Sequence, residues 1–399
     1  MTASETFDAV VVGGGPAGAT AATRLAEAGR SVLLLDRAGR IKPCGGAIPP
    51  QLIREFEIPD HLLVARIRSA CMVSPADRQV EMPIKGGFVA MVDRDSFDEW
   101  LRQRAAEAGA VRRVGVFETV SRDGDGTCLV HYRLPGAADG VPAAVRARAV
   151  IGADGASSAV ARAAMPVDET VPLVFAYHEI VAAPAAGSIA GYDGSRCHIY
   201  YRGSLSPDFY AWVFPHGDTV SVGTGSAHKG FALRAAVGRV REAAGLADAP
   251  TIRREGAPIP LRPRRRWDNG RDLVLCGDAA GAVAPASGEG LYYAMVSGRF
   301  AADAVVELLA TGDVRALAAA RRRFMKAHGR VFWVLGLMQH FWYANDRRRE
   351  RFVSICRDPD VQHLTWEAYM NKKLVRAKPL AHLRIFVKDV AHLLRLVTP

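Results

Sequence analysis

Cys44 stands in the stretch IKPCGG (residues 41–46), between a proline and two glycines. A thiol so placed can react, ligate a metal, or serve only as a small residue in a tight loop. Upstream, an apolar run ends in Gly13-Gly14-Gly15-Pro16-Ala17-Gly18, and Asp36 closes the next one. Short acids beside glycines recur at Gly152-Ala153-Asp154-Gly155 and at Cys276-Gly277-Asp278. These residue types suit a phosphorylated ligand rich in hydroxyls: glycines let backbone amides approach a diphosphate, and carboxylates accept from sugar hydroxyls. One Gly-Asp pair is often only a turn. Three of them at the ends of strand-like runs call for a common purpose.

The elements that must position these residues are legible in the apolar pattern. Phe7 to Val12 reads as a strand buried on both faces, Ala19 to Ala28 as a helix ending at Gly29, and Ser31 to Leu35 as a second buried strand. Strand, glycine turn, helix, strand and acid make a βαβ unit for a dinucleotide. In it Gly13 permits the turn, Gly15 admits the pyrophosphate, Gly18 lets helix and strand pack closely, and Asp36 meets a ribose. Gly87 to Val92 reads as a strand leading to Arg94, and Asp95 to Gly109 as a helix with Phe97, Trp100 and Leu101 on one face. Val111 to Val120, Cys128 to Leu134 and Ala144 to Ile151 read as a three-stranded meander. From Pro166 to Pro263 alternating aromatic and β-branched residues predict an antiparallel sheet, interrupted by a helix at Phe231 to Gly245. Asp272 to Leu275 is again a buried strand, and PASGEG (285–290) opens a helix over Leu291 to Leu309.

The bulk numbers bound the function. A chain of 399 residues, 49% hydrophobic, suffices for two or three domains. The N-terminus carries no basic segment followed by a long apolar run, so the reading places the protein inside the cell, without a secretory signal. The six cysteines, at 44, 71, 128, 197, 276 and 356, form no C-x-x-C pair and have no histidine at zinc spacing, which argues against a metal or disulfide framework. Net charge is +11, and residues 321–399 alone hold 17 Lys/Arg against 6 Asp/Glu. That surplus is either a solvated helical surface or a face for anions or an anionic membrane. Nucleic acid is disfavoured, because no recognisable nucleic-acid module accompanies the basic region.

The trio GGGPAG, GADG and CGDAAG, in this order, resembles the flavin-binding signature of the aromatic-hydroxylase-like flavoproteins. Two further stretches narrow the resemblance. PDFYAWVFP (207–215) is similar to the PxxYxWxFP pattern of the geranylgeranyl reductases at every specified position, and KPCGG (42–46) resembles that family's loop after the first βαβ unit. TWEAYMNKKLVRAKPLAHLRIFVKDVAHLL (365–394) looks like the tail of the chlorophyll and bacteriochlorophyll branch. The resemblance implies an α/β chain with a glutathione-reductase-type, Rossmann-like FAD domain (1–60, 88–165 and 268–315). It also implies an antiparallel β-sheet substrate domain (61–87 and 166–267) and a basic helical C-terminal region (316–399). It implies FAD as cofactor, with Asp36 and Arg37 at the adenosine end, Arg94 and Asp154-Gly155 near flavin and pyrophosphate, and Gly277-Asp278 at the ribityl chain. Pro285, Gly288 and Gly290, with Cys44, Gly45 and Gly46, would lie beside the isoalloxazine.

The implied reaction is saturation of three of the four double bonds of a geranylgeranyl chain, carried on a pigment or as the diphosphate, with NADPH as reductant. No second GxGxxG unit is present for NADPH, so that donor would bind transiently. Strand alternation places Tyr210, Trp212 and Phe214 on one face, a wall for an isoprenoid or an ordinary packed sheet face. Tyr210 and Trp212 would stabilise positive charge on a tertiary carbon, and Cys44 would donate the proton, pack the loop or act as a redox thiol. Residues 379–397 read as a helix lying on an anionic surface or packed on the core, which would make the protein peripheral on the inner or photosynthetic membrane. The competing readings are a flavin monooxygenase or halogenase on the same fold, and a non-catalytic prenyl or pigment carrier.

Overall fold

The computed structural model describes residues 5–37, 39, 41–136, 140–166, 169–185, 187–189 and 192–372. The chain divides into two compact units, the first formed by residues 1–42, 94–173 and 258–329 and the second by residues 43–93, 174–257 and 330–399. In chain order, the first unit begins with β1 (Thr6–Val12), α1 (Pro16–Glu27) and β2 (Val32–Asp36). The second then supplies β3 (Ala47–Ile48), α2 (Pro50–Glu55), β4 (Ala65–Ile67), β5 (Ser69–Val73), β6 (Gln79–Pro83) and β7 (Val89–Met91). The first resumes with α3 (Arg94–Glu107), β8 (Val111–Val114), β9 (Val116–Arg122), β10 (Cys128–Leu134), β11 (Val141–Gly152) and α4 (Ala159–Ala164). Next come β12 (Leu173–Ala182), β13 (Arg196–Tyr200), β14 (Ala211–His216), β15 (Thr219–Ser226), α5 (Leu233–Ala243) and β16 (Thr251–Pro260). The chain continues through β17 (Leu273–Leu275), α6 (Leu291–Thr311), α7 (Ala319–Trp342), α8 (Asp346–Ile355) and α9 (Pro359–Asn371).

The first unit is built on a seven-stranded sheet in the order β8-β2-β1-β11-β10-β9, with β17 also paired to β11. Strands β8, β2, β1, β11 and β17 run parallel, and the register places Val12 opposite both Leu35 and Gly152, and Gly152 opposite Leu275. Four strands, β1, β2, β11 and β17, therefore end within one residue of a common level. Their apolar runs are continuous because both faces are covered: Ala9, Val10, Val11, Leu33, Val150 and Ile151 have no accessible surface. The expected first strand of the meander is divided. Val111–Val114 joins the parallel part beside β2, and only β9, β10 and β11 form the antiparallel meander.

Helix α1 starts three residues earlier than the apolar pattern suggests, because Pro16 occupies the first turn, where its missing N–H costs nothing. Its small-residue face lets α6 come close: a Cβ on Gly298 would lie 2.1 Å from the carbonyl oxygen of Ala17. On α3, Phe97 and Leu101 are buried as expected, while Trp100 is half-buried under the guanidinium of Arg104.

The second unit holds a seven-stranded sheet, β16-β12-β15-β14-β13-β5-β6, and a three-stranded one, β3-β7-β4. The larger sheet is not purely antiparallel as expected, since β13 pairs with β5 in parallel from Arg196/Ser69 to Tyr200/Val73. Helix α5 covers one face, where Val237 and Val240 join Val213, Val220 and Val222 in a buried cluster.

The unit boundaries differ from those read in the sequence. Residues 43–60 group with the second unit because Ala47 and Ile48 pair with Met91 and Ala90. Residues 330–372 group there too: buried Arg349 donates to the carbonyls of Pro207 and Tyr343, and Phe352 sets its ring edge-on to Tyr201 at 5.0 Å. The expected surface helix at 379–397 lies outside the described residues.

Gly298→Ala drives a methyl into the backbone of α1, and the expected cost is about 1–3 kcal/mol of stability. Denaturant unfolding, with the slope unchanged and the midpoint lowered, checks it.

Candidate cofactor and substrate site

In the first unit the three motif loops leave neighbouring strand ends. Gly13 has φ +105°, and a Cβ there would meet the carbonyl of Ala153 at 2.4 Å, so the first loop lies directly against the second. A Cβ on Gly18 would fall 1.8 Å from the Gly13 carbonyl oxygen, and one on Gly14 would strike the Asp36 carboxylate at 2.5 Å. Gly15 is the contrast: nothing lies within 4 Å of its Cβ position. It is the N-cap of α1, and no side chain caps that end. An open, uncapped helix N-terminus next to three tightly packed glycines fits a pyrophosphate.

Around this cradle the acids have different partners. Asp36, at the end of β2, lies 3.5 Å from Arg102 Nη1, whose guanidinium also donates to the Gly14 carbonyl at 3.2 Å. Both border a cavity of about 640 Å³ lined by Arg37, Arg94, Arg112 and Arg113 as well, a size that suits a nucleotide. Arg94 is buried and holds Asp98 with two hydrogen bonds of 2.8 and 2.6 Å. Asp154 is engaged within its own loop. Its two oxygens accept from Ser158 Oγ at 2.5 Å and from the Val160 amide at 3.0 Å, so it shapes the loop that presents Gly155 at φ +90°.

Asp278 pairs with Lys42. The charge of Lys42, two residues before Cys44, is therefore committed to the third loop. Gly277, whose amide donates to Ser297 Oγ at 2.9 Å, has no room for a Cβ beside Ala17 (2.8 Å), which ties the third loop to the first. The PASGEG turn belongs to the same cluster: Pro285 is buried, Gly288 has φ +64°, and Gly290 caps α6 with its Cβ position 3.8 Å from Asp278 Oδ1. The residues present thus fit FAD.

In the second unit Tyr210, Trp212 and Phe214 share one face, with ring centroids 5.9 and 6.1 Å apart. Strand β14 begins at Ala211, so Tyr210 stands at its entry, stacked on Phe209 at 4.3 Å. The Trp212 indole is 6% exposed and lies in a slot over Gly223, where a Cβ would meet it at 2.2 Å. Its Nε1–H donates to Ser221 Oγ at 3.1 Å. Ser221 is 3.0 Å from His178 Nδ1, and His178 Nε2 is 3.0 Å from Glu255 Oε2. One assignment satisfies every group: Ser221 donates to Nδ1, and Nε2–H donates to Glu255. Burial opposes ionisation of Glu255, yet the hydrogen bond from His178 and the hydrogen bond and charge of Arg253 hold its carboxyl below the usual range.

Cys44 is the partly exposed cysteine; the other five are buried. Its Sγ accepts the Gly46 amide at 3.3 Å. Burial pushes the Cys71 and Cys128 thiols up to about 11, Cys356 to about 12, and Cys197 and Cys276 higher still. No cluster of metal ligands occurs among the described residues. Sequence reasoning missed Arg102, Gly298, Ser221, His178 and Glu255, which no motif marks; Lys42 stood in KPCGG but was read for its neighbour, Cys44.

Residues 64–325 match the family described as FAD binding domain, and residues 11–51 the NAD(P)-binding Rossmann-like domain. Fold and cradle thus define an FAD-dependent oxidoreductase. Geranylgeranyl diphosphate reductase of Rhodobacter capsulatus is 55% identical over 98% of this chain and 99% of its own. The Synechocystis protein of the same name is 37% identical, covering 96% and 97%. The chain belongs to the geranylgeranyl diphosphate reductase family. Among solved structures, a geranylgeranyl bacteriochlorophyll reductase-like protein of Thermoplasma acidophilum aligns at TM-score 0.79 with 24% identity, over 94% of this chain and 99% of that one. The flavin-dependent brominase Bmp2 aligns at 0.73 with 17% identity, over 96% and 99%, a likeness of fold alone.

Gly15→Val separates a ligand role from a folding role. Its side chain enters open space, so the melting temperature of the flavin-free protein is expected to stay within about 2 °C, a shift of under ~1 kcal/mol for a chain this size. FAD affinity, by flavin fluorescence titration, is expected to fall at least ~10-fold, the equivalent of about 1.4 kcal/mol. Ser221→Ala strands the buried indole N–H, and the expected loss is about 1–3 kcal/mol by denaturant unfolding.

Proposed function

We propose that this protein reduces the isolated double bonds of a geranylgeranyl chain to a phytyl chain, using FAD held by the first unit and NADPH as the reductant. The observation that carries the proposal is the presence in one chain of an open diphosphate cradle among three acid-bearing loops and of an oriented row of aromatic rings on β14. The full-length similarity to reductases named for geranylgeranyl diphosphate supports the same substrate class.

Gly13, Gly15 and Gly18 would take the pyrophosphate, Asp36 and Arg37 the adenosine end, and Asp278 with Gly288 and Gly290 the flavin end. FAD, when bound, supplies the hydride. The remaining needs fall to side chains. An isolated trisubstituted alkene accepts hydride only as a proton reaches its other carbon, and positive charge gathers on the tertiary carbon meanwhile. The π faces of Tyr210 and Trp212 stabilise that charge, and the Ser221 contact keeps the indole from turning away. Cys44 is the proton source in this reading: with Sγ accepting from Gly46, its S–H is free to donate, and solvent restores the proton afterwards. Phe214 and the apolar residues around it exclude water from the chain.

The basic region after residue 320 gives the protein a peripheral hold on anionic membrane in this proposal. No helix of the described residues is long and apolar enough to cross a bilayer. Helix α7 leaves Trp333 70% and Leu337 54% exposed, one turn apart, as a surface-seeking face needs.

Anaerobic incubation of flavin-loaded protein with NADPH and geranylgeranyl diphosphate, or a geranylgeranylated pigment, is expected to give products heavier by two, four and six hydrogens. Reduced flavin with unchanged substrate mass sinks the proposal. Trp212→Leu is expected to lower kcat about 10-fold, the loss of ~1.4 kcal/mol of charge stabilisation, at unchanged flavin content. Flotation with anionic liposomes is expected to carry the protein at low salt and release it at high salt, and Trp333→Ala to weaken that binding.

A further inference from the structure

His216 closes β14, two residues beyond Phe214, and is 6% exposed. Its Nδ1 lies 3.0 Å from Asp93 Oδ1, and its Nε2 lies 3.1 Å from the carbonyl oxygen of Gly45. Both partners are acceptors, so a ring that donates to both carries a proton on each nitrogen and a positive charge. The same ring packs on the backbone it holds. Gly46 has φ +71°, and a Cβ there would lie 2.5 Å from His216 Cε1 and 2.5 Å from the Val92 carbonyl oxygen. Phe214 seals the other side, 3.0 Å from the Cβ position of Gly45.

From this clamp the strand ladder continues. Val92 N–H donates to the Gly46 carbonyl at 2.9 Å, and Ala47 and Ile48 then pair with Met91 and Ala90. In the other direction the next residue is Cys44, whose Sγ takes the Gly46 amide. The loop that presents the thiol is thus held by one ladder behind it and by one side chain above it.

We infer that His216, as an imidazolium shared between Asp93 and the Gly45 carbonyl, is the positioning residue that fixes the Cys44 loop for the reduction proposed above. The inference rests on that reading for its purpose, but the clamp itself has a readout that needs no turnover. Because the other five cysteines are buried, alkylation by iodoacetamide followed by peptide mass reports Cys44 selectively.

The test compares flavin-loaded wild type with His216→Phe, His216→Gln and His216→Lys. Phe keeps the packing and removes both donors: Cys44 alkylation is expected to quicken at least ~5-fold and kcat to fall ~10-fold or more, with flavin content and KM little changed. Lys retains the charge and can donate to both acceptors, and is expected to recover most of both readouts. Gln donates from one nitrogen only and carries no charge, and is expected to fall between. Should His216→Phe not fold, Asp93→Ala, which leaves the ring and removes its outer partner, takes its place with the same readouts. Wild-type alkylation and turnover in a folded His216→Phe or Asp93→Ala protein overturn the clamp. A loosened loop in a protein whose wild type reduces no geranylgeranyl chain leaves the clamp standing and refutes the proposed function instead.

Discussion

The first unit depends on register. Val12, Gly152 and Leu275 end neighbouring parallel strands at one level, and Leu35, one residue before the end of β2, is level with them, so the loops that follow must emerge side by side. Backbone hydrogen bonds enforce the alignment: Gly13 N–H donates to Leu35, Ala153 N–H to Val12, and Cys276 N–H to Gly152. A slip of one residue would turn every buried side chain to the wrong face, which a sheet covered on both sides does not permit. Given that level, the glycines are forced by space, and Gly15 alone of the first motif is left facing open volume. A diphosphate site follows from the sheet before any ligand is considered.

The second unit solves a different problem, the orientation of flat apolar rings. Alternation along β14 puts Tyr210, Trp212 and Phe214 on one face but says nothing about how each ring is turned. Gly223 opens a slot for the indole, and Ser221, His178 and Glu255 complete a buried chain that accepts its N–H. Every polar atom of that chain has a partner, which is the condition for a buried polar network to add specificity rather than cost. Arg349 performs a comparable service one loop away, tying α8 to the Pro207 carbonyl at the start of the aromatic segment.

Much of this was legible beforehand. The βαβ unit, the three acid-bearing loops and the aromatic strand announce themselves through short-range pattern: continuous apolar runs, glycines at strand ends, period-two alternation. The division of the strand at Gly115 was not legible, because Val111–Val114 and Val116–Arg122 are equally β-prone and choose different neighbours only in the folded sheet. Nor was the parallel pairing of β13 with β5, which joins segments over a hundred residues apart. Nor was the pairing of Lys42 with Asp278, which lies 236 residues along the chain.

Taken alone, the sequence determined which residue types stand at each strand end, and hence the class of ligand the loops can hold. It also determined the family, through stretches short enough to be compared residue by residue. Only the tertiary structure decided what each acid faces: Asp154 its own loop, Asp278 Lys42, and Asp36 Arg102. The physical reason is range. Propensity and periodicity act over a few residues, whereas a hydrogen bond or ion pair forms between whatever groups the packed chain brings within about 3 Å, at any separation in sequence.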